Sequence, residues 1–343
     1  MSTGAGVMDG HKEVEDKIAR QIFESNYISR DLSWLQFNYR VLDQAKHIDR
    51  SIFDRLKFLS ITASNLDEFC TIRLGSLYNY IDYGKSRVDY CGLRETPFRS
   101  LLLTETRKFV EGQNDYYIRK LKPQFQNNNF LIADYDVLTV EECDRVDKYF
   151  SMTIYPMLTP MVFDSYHTFP VLKNHRLLFG VVTKVDGETS NNKRVSFIQV
   201  PNNITRFYEI MRPDGMILFI PIETIIRKNI QVLFRNVEIR SINLFRINRN
   251  GDFTLDESED IESNFLEELR IKLQTRKSGR VVRLDVLENA DPWMLRVLKI
   301  QWDIDDQNII TIPKESLLDF AGLLQITNHR EFKGQRIQGG TPV

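Results

Sequence analysis

The spacing of apolar residues changes about one third of the way along this chain, and that change constrains the fold most. From about residue 27 to residue 122, apolar side chains recur every third or fourth position, as in "SIFDRLKFLSITAS", which predicts amphipathic helices. Beyond about residue 125, short apolar runs bounded by turn residues predict strands. The sequence therefore predicts an α+β multidomain protein, with an N-terminal helical bundle followed by an α+β region.

The second region is predicted to mix strands with helices. The predicted strands are "LLFGVVTKV" (177–185), "RVSFIQVP" (194–201), "MILFIPI" (216–222), "EIRSINLFRIN" (238–248) and "RVVRLDVL". The predicted helices are residues 140–153, "IETIIRKNIQVLF", "DIESNFLEELRIKLQTRK", "DPWMLRVLKIQWDI" and "PKESLLDFAGLLQI", with a short strand between the last two. "DGETSNNK" is typical of a hairpin turn, and the prolines of "YPMLTPMVFDSYHTFPVLKN" exclude a continuous helix there.

Composition and charge limit the class of partner. The 343 residues are too many for one ordinary domain. The 46 basic and 47 acidic side chains give a net charge of -1, so no general polyanion-binding field exists and nucleic acid is not expected as a partner. Residues 1–20 are polar and charged without a signal-like apolar core, and no run approaches the roughly 18 apolar residues of a membrane span. We expect a soluble, cytoplasmic protein.

Metal and nucleophile motifs give no site. The three cysteines, Cys70, Cys91 and Cys143, have no zinc-site spacing, and no phosphate-binding glycine loop or nucleophile elbow occurs. Among the five histidines, His167 in "FDSYHTFP" follows Asp164 and lies between aromatic residues. A histidine hydrogen-bonded within an ordered turn is favoured there over a functional one. We assign no catalytic residue and no metal ligand.

Arginine is the remaining candidate for anion chemistry. Six arginines stand in otherwise ordered segments: Arg73, Arg246, Arg249, Arg276, Arg280 and Arg283. Their planar, permanently charged guanidinium groups suit phosphate, so those at 246–283 form a possible anion-binding module. Surface ion pairs with Asp252, Glu257 and Asp260 are the alternative, and we favour it.

The segment "SNLDEFCTIRLGS" (64–76) allows two interpretations. With Asn65 as N-cap, Glu68 falls at the third helical position, and Asp67 and Glu68 suit the positive end of the helix dipole. Alternatively, the Asn65 amide has both the donor and the acceptor needed to bind a nucleobase edge. Spacing alone favours the cap.

Several segments together carry a family resemblance. They are "ISRDLSWLQFNYRVLDQA", "RLKFLSITASNLDEFCTIRLGSL", "YPMLTPMVFDSYHTFPVLKN", "FIPIETII", "FRINRNGDFTLDESED" and "LQTRKSGRVVRLDV". In order and approximate spacing they resemble the landmarks of polyphosphate kinases of the histidine-phosphorylating type, from about Tyr27 to about Ile326. The resemblance implies reversible transfer of the terminal phosphate of ATP to inorganic polyphosphate through a phosphohistidine.

The resemblance also implies a domain plan. Residues 1–20 would be a loose leader, 21–125 a nucleotide-facing helical domain, 126–330 an α+β head domain with oligomer contacts, and 331–343 a tail before the catalytic C-terminal domains. Asn65 matches the family's nucleotide-contacting asparagine. ATP or ADP and polyphosphate would be substrates, with magnesium bound by ligands outside this chain.

The family's catalytic histidines and phosphate-gripping arginines belong to its C-terminal half. We therefore expect this chain alone to bind adenine nucleotide weakly and to catalyse nothing. A homo-oligomer formed through the head domain is expected. The alternative is a non-catalytic oligomerisation or regulatory protein derived from the same family.

Overall fold

The computed structural model describes residue 24 and residues 27–82, 88–89, 92–93, 95–164, 166–185, 193–251 and 279–335. The predicted leader, residues 186–192 of the "DGETSNNK" turn and the helix "DIESNFLEELRIKLQTRK" lie outside the described residues, as does most of the predicted tail. Among the helices that are described, none combines the length and the apolar character needed to cross a membrane.

Helices predominate in the first part of the chain, and further helices lie among the strands of the second part. The helices are α1 (Arg30–Lys46), α2 (Ile52–Phe69), α3 (Gly75–Asp82), α4 (Glu95–Tyr116), α5 (Val140–Tyr149), α6 (Ile222–Asn229), α7 (Pro292–Trp302) and α8 (Leu324–Thr327). Serine hydroxyls cap the first two: Ser29 accepts from the Leu32 N–H and Ser51 from the Asp54 N–H. A π-helical turn at Cys70–Leu74 joins α2 to α3 without a loop.

Two sheets form the second part. The strands are β1 (Phe130–Ile132), β2 (Met161–Phe163), β3 (Leu177–Val185), β4 (Lys193–Gln199), β5 (Phe207–Met211), β6 (Ile217–Pro221), β7 (Val237–Arg249), β8 (Val281–Leu287) and β9 (Ile309–Ile312). The six-stranded sheet has the order β2-β4-β3-β7-β8-β9, and the three-stranded sheet has the order β1-β6-β5. Pairing is antiparallel except for β1 with β6 and β8 with β9. The α+β fold is confirmed.

The structure differs from the sequence prediction mainly in its short strands and in the extent of one helix. β1 and β2 have three residues each, too few to show an alternating pattern, and β5 was also missed. The prediction of helix through "PKESLLDFAGLLQI" was wrong for residues 313–319, which form turns. Helix begins only at Phe320, where the Asp319 carboxylate caps a short 3-10 turn.

One hydrophobic core connects the helices with the β-region. The larger buried cluster contains residues of α1 to α4 together with residues of both sheets. Within it Phe53 of α2 stacks on Phe332, 4.2 Å between ring centroids, and Phe130 of β1 stacks on Phe125 at 4.6 Å. A smaller cluster packs α7 against the other face of the six-stranded sheet. Apolar burial therefore fixes the helical region directly against the sheets.

Gly75 allows the closest approach between the two regions. A Cβ atom there would meet the side chain of Asn250, just after β7, and would lie 3.2 Å from its Cα. The neighbouring Thr71 carbonyl accepts from the Gly251 N–H at 3.0 Å. The junction of α2 and α3 thus contacts the end of β7 through backbone as well as side chains.

We expect Gly75→Ala to lower the free energy of unfolding by about 1–3 kcal/mol, because the added methyl group overpacks this contact. Gly112→Ala in α4 is the matched control, since a methyl group added there would meet nothing within 4 Å. Alanine should there raise stability by about 0.5–1 kcal/mol through helix propensity. Urea unfolding measures both, and equal effects of the two substitutions would contradict the close contact.

Candidate functional site

Asn65 lies inside α2 and is not a helix cap. The helix begins at Ile52 after the Ser51 cap and continues to Phe69, so the predicted N-terminus at Asn65 was wrong. The apolar positions of 52–69 keep one face buried without interruption, and this packing outweighs the local capping pattern. Asn65 must therefore be explained by its side-chain contacts.

A short chain of hydrogen bonds orients the Asn65 amide. Its Nδ2 donates to Asn38 Oδ1 of α1 at 3.2 Å, and Asn38 Nδ2 donates to the Thr62 carbonyl at 3.1 Å. Asn38 is fully buried, whereas Asn65 is partly exposed. Asn65 Oδ1 accepts no hydrogen bond from any described residue. The side chain is thus held by its amino group and keeps one N–H and its carbonyl oxygen available.

Two residues later, Asp67 faces the opposite way, into the sheet. Arg246 of β7 donates to both oxygens of its carboxylate, at 2.8 Å to Oδ1 and through a shorter bond to Oδ2. Asn248 Nδ2 adds a third bond at 3.2 Å. Burial raises the pKa of a carboxyl group, but the charge and hydrogen bonds of Arg246 outweigh burial and lower the pKa of Asp67 to about 2.

A second buried pair lies beside the first. Arg283 Nε of β8 donates to Asp285 Oδ1 at 2.7 Å, and its Nη1 lies 3.8 Å from Cys70 Sγ. Burial raises the pKa of the Cys70 thiol to about 11, with the nearby Arg283 only partly opposing it. Cys70 therefore stays protonated near neutral pH and is not a nucleophile.

The space around these pairs is small. A cavity of about 20 Å³ lies between α2, α4, the sheet and residues 317–320, and Asp67, Arg246, Arg283 and Asp285 are among its lining residues. Such a volume holds about one water molecule and no phosphate group. Among the described side chains, none accepts from Arg246 Nε, which is buried. The cluster is therefore structural, joining α2 to the sheet.

Arg249 and Arg280 are likewise occupied. Arg249 donates to the carbonyls of Leu172 and Gly279, and burial lowers its pKa to about 10. Arg280 pairs with Asp82 at 2.5 Å and with Asp303 at 3.0 Å. Arg73 is partly exposed. Arg276 and the three predicted acidic partners lie outside the described residues.

Arg246, Arg280 and Arg283 form ion pairs, as the favoured alternative expected, but their observed partners are not the predicted ones. Two of these arginines are also buried rather than at the surface. Arg246 and Arg283 are buried together with their partners, Asp67 and Asp285, so each positive charge has its counter-ion inside the protein. Sequence reasoning placed Asp67 in a first helical turn. At helical spacing, Asp67 lies on a different side of the helix from Asn65 and Glu68, and this was the signal available in the sequence.

His167 is hydrogen-bonded within a turn, as the sequence analysis favoured. Its Nδ1 lies 2.7 Å from Asp164 Oδ1, and the same oxygen accepts from the His167 N–H at 3.1 Å. The hydrogen bond from His167 lowers the pKa of Asp164. Elsewhere His175 Nε2 lies 3.1 Å from Thr71 Oγ1. In the described ranges, no three His, Cys, Asp or Glu side chains cluster as metal ligands would.

Comparison with known proteins gives a consistent result. The family model of the polyphosphate kinase N-terminal domain matches residues 27–133, and that of the polyphosphate kinase middle domain matches residues 141–326, more than half of the chain. A polyphosphate kinase of Halalkalibacterium halodurans is 32% identical over 92% of this chain and 45% of its own length. One of Mycobacterium tuberculosis is 30% identical over 90% and 42%. The chain therefore spans less than half the length of these relatives.

The fold resembles that of a solved structure. The crystal structure of polyphosphate kinase from Porphyromonas gingivalis matches with a TM-score of 0.70 at 21% identity. The match covers 93% of this chain and 44% of that one. At this identity the likeness shows the fold alone.

We expect Asp67→Asn to lower the free energy of unfolding by about 3–5 kcal/mol, because it leaves the Arg246 charge buried without its counter-ion. The matched control is Asp115→Asn, which breaks an exposed pair with Arg119 at 2.6 Å. That change should cost less than about 1 kcal/mol. Urea unfolding near pH 7 measures both. A small effect of Asp67→Asn would mean that water reaches Arg246.

The same pair predicts an acid limb of stability. The pKa of Asp67 is about 2 in the folded protein, against 3.8 as its ordinary value. The stabilisation is present above pH 4 and is lost as the pH falls toward 2, a contribution on the order of 2 kcal/mol. Unfolding free energies from pH 2 to 6 should show the difference between wild type and Asp67→Asn shrinking with acidification. Parallel curves would contradict this origin.

Proposed function

This chain belongs to the polyphosphate kinase family, and on that premise we propose that it forms the nucleotide-facing part of an ATP–polyphosphate phosphotransferase. The reaction is the reversible transfer of the terminal phosphate of ATP to inorganic polyphosphate through a phosphohistidine. We assign no catalytic residue to this chain. Its role is to contact the nucleotide base and to hold that contact in position.

The observation that carries the proposal is the orientation of the Asn65 amide. One N–H is used by Asn38, so a second N–H and Oδ1 remain on a partly exposed side chain of α2. Adenine offers a matching edge, with its N6 amino group as donor and N7 as acceptor. Guanine offers two acceptors there, O6 and N7, and would set O6 against the Asn65 oxygen. An adenine nucleotide therefore fits best.

Asp67 and Arg246 serve as positioning residues in this proposal. Asp67 is on the same helix as Asn65 but is fixed to β7, so the ion pair sets the rotation and height of α2 against the sheet. The hydrogen bond to Asn38 fixes the Asn65 amide against α1, the other element that packs on α2. The base contact is thus held by both parts of the fold rather than by a mobile loop.

The remaining roles are proposed from the family. Residues 126–330 would form the head domain through which the protein forms a homo-oligomer, and residues 21–125 would form the nucleotide-facing domain. The protein would work in the cytoplasm. Magnesium would accompany ATP, held by residues outside this chain.

We expect Asn65→Ala to weaken ATP binding roughly tenfold, the effect of losing one or two hydrogen bonds to the base. GTP binding should hardly change, so the preference of the wild type for ATP should disappear. Titration calorimetry with both nucleotides measures this, with Ser64→Ala at the exposed neighbouring position as the control. The chain alone should synthesise no polyphosphate.

Nucleotide selectivity separates a base contact from structural damage. Asn65→Ala also removes the donor to the buried Asn38 oxygen, so some loss of stability is expected and is followed by thermal unfolding. Damage to the fold would weaken both nucleotides equally, and that result would contradict the proposed contact. Absence of nucleotide binding combined with stable dimers would favour the non-catalytic oligomerisation protein instead.

A further inference from the structure

A second pocket is lined by more cationic than anionic side chains. It has a volume of about 440 Å³ and lies where α6 meets β7, β8 and the segment after β9. Three cationic side chains line it: Arg227 and Lys228 at the end of α6, and Lys314 from the segment after β9. This volume lies within the range of ordinary ligand pockets.

The carboxylates of the pocket neutralise these cations only in part. Both oxygens of Glu223 accept hydrogen bonds from Arg206. Asp134 Oδ1 accepts from the Tyr135 N–H at 2.7 Å, as the cap of a short 3-10 turn. Arg206 therefore compensates Glu223, Asp134 offsets part of the charge of the three cations, and the pocket keeps an excess of positive charge.

Arg227 differs from the paired arginines of this chain. Across the described residues its guanidinium group reaches no hydrogen-bond acceptor, and its central carbon lies 5.8 Å from the Phe179 ring centroid. Desolvation by the surrounding protein lowers the pKa of Arg227 although its side chain is exposed, and Glu223 and Asp134 oppose this only partly. For Arg206, by contrast, Glu223 outweighs burial and the pKa is raised. Arg227 is thus a solvent-exposed cation at the pocket, and the described residues provide it with no close counter-ion.

We propose that this pocket binds the phosphate groups of a condensed phosphate chain, with tripolyphosphate as its minimal ligand, at a site separate from Asn65. A guanidinium group binds phosphate oxygens in a bidentate manner, and two ammonium groups add point charges around it. The chemical class follows from the pocket itself. That such a chain is the enzyme's polyphosphate substrate rests on the proposed function.

The end of α6 alone does not account for the arrangement. Cations in the last turn of a helix interact favourably with its dipole, which explains Arg227 and Lys228 separately. It does not explain Lys314, which comes from a different segment and lines the same pocket. The side chain of Lys314 is 70% exposed and lies 3.9 Å from Glu315, so a surface pair holds it only weakly.

The test is titration calorimetry with tripolyphosphate on this chain at low salt. We expect Arg227→Gln to weaken binding at least tenfold and Lys314→Gln at least threefold. Arg235→Gln is the matched control, since Arg235 is exposed, follows the same helix and does not line the pocket. It should change the affinity less than twofold. Thermal unfolding of each variant checks that the fold is kept.

The outcomes separate this site from the nucleotide contact. Undetectable binding of tripolyphosphate by the wild type, or an equal loss with Arg235→Gln, would overturn the proposal. A parallel loss of ATP and tripolyphosphate affinity in Arg227→Gln would also overturn it, because the pocket would then be the phosphate end of the nucleotide site. Asn65→Ala should leave tripolyphosphate binding intact. If Asn65→Ala also left ATP binding intact, the proposed base contact would be contradicted, whereas the proposed phosphate pocket would not be affected.

Discussion

The buried pair of Asp67 and Arg246 is the interaction on which the rest of the structure depends. Two charges removed from water are stable only when each meets the other in good geometry, so the pair permits one placement of α2 on the six-stranded sheet. A hydrophobic contact alone would tolerate sliding or rotation by part of a turn. Because Asn65 is two residues from Asp67, the same constraint fixes where the proposed base contact points.

The continuity of α2 and α3 supports this placement. A π-helical turn carries the chain from one to the other without a loop, and an extra residue per turn changes which side chains face the sheet. Cys70 and Leu74 within this turn are buried, so the bulge belongs to the packed interface. Gly75 then lets the helix approach Asn250 closely. Shape and charge thus act together over one short segment.

Much of this architecture follows from the sequence, but its central contact does not. Periodicity located α1, α2 and the long strands, because each has enough residues to show a pattern. Strands of three residues, such as β1, show none. Asp67 and Arg246 are 179 positions apart, and no local pattern links them. Local spacing misplaced Asn65 as a cap, whereas the combined family landmarks singled it out as a nucleotide contact, which stays a prediction.

The aromatic cluster that joins the helices to the sheets has a consequence for any attempt to divide the chain. Phe125 and Phe130 stack across the region where helical character gives way to strands, and Phe53 and Phe332 complete the same cluster from distant parts of the sequence. Separating the chain there would leave large aromatic faces in water on both halves. The two regions are expected to unfold in a single cooperative transition. Neither half alone is expected to remain monomeric without aggregating.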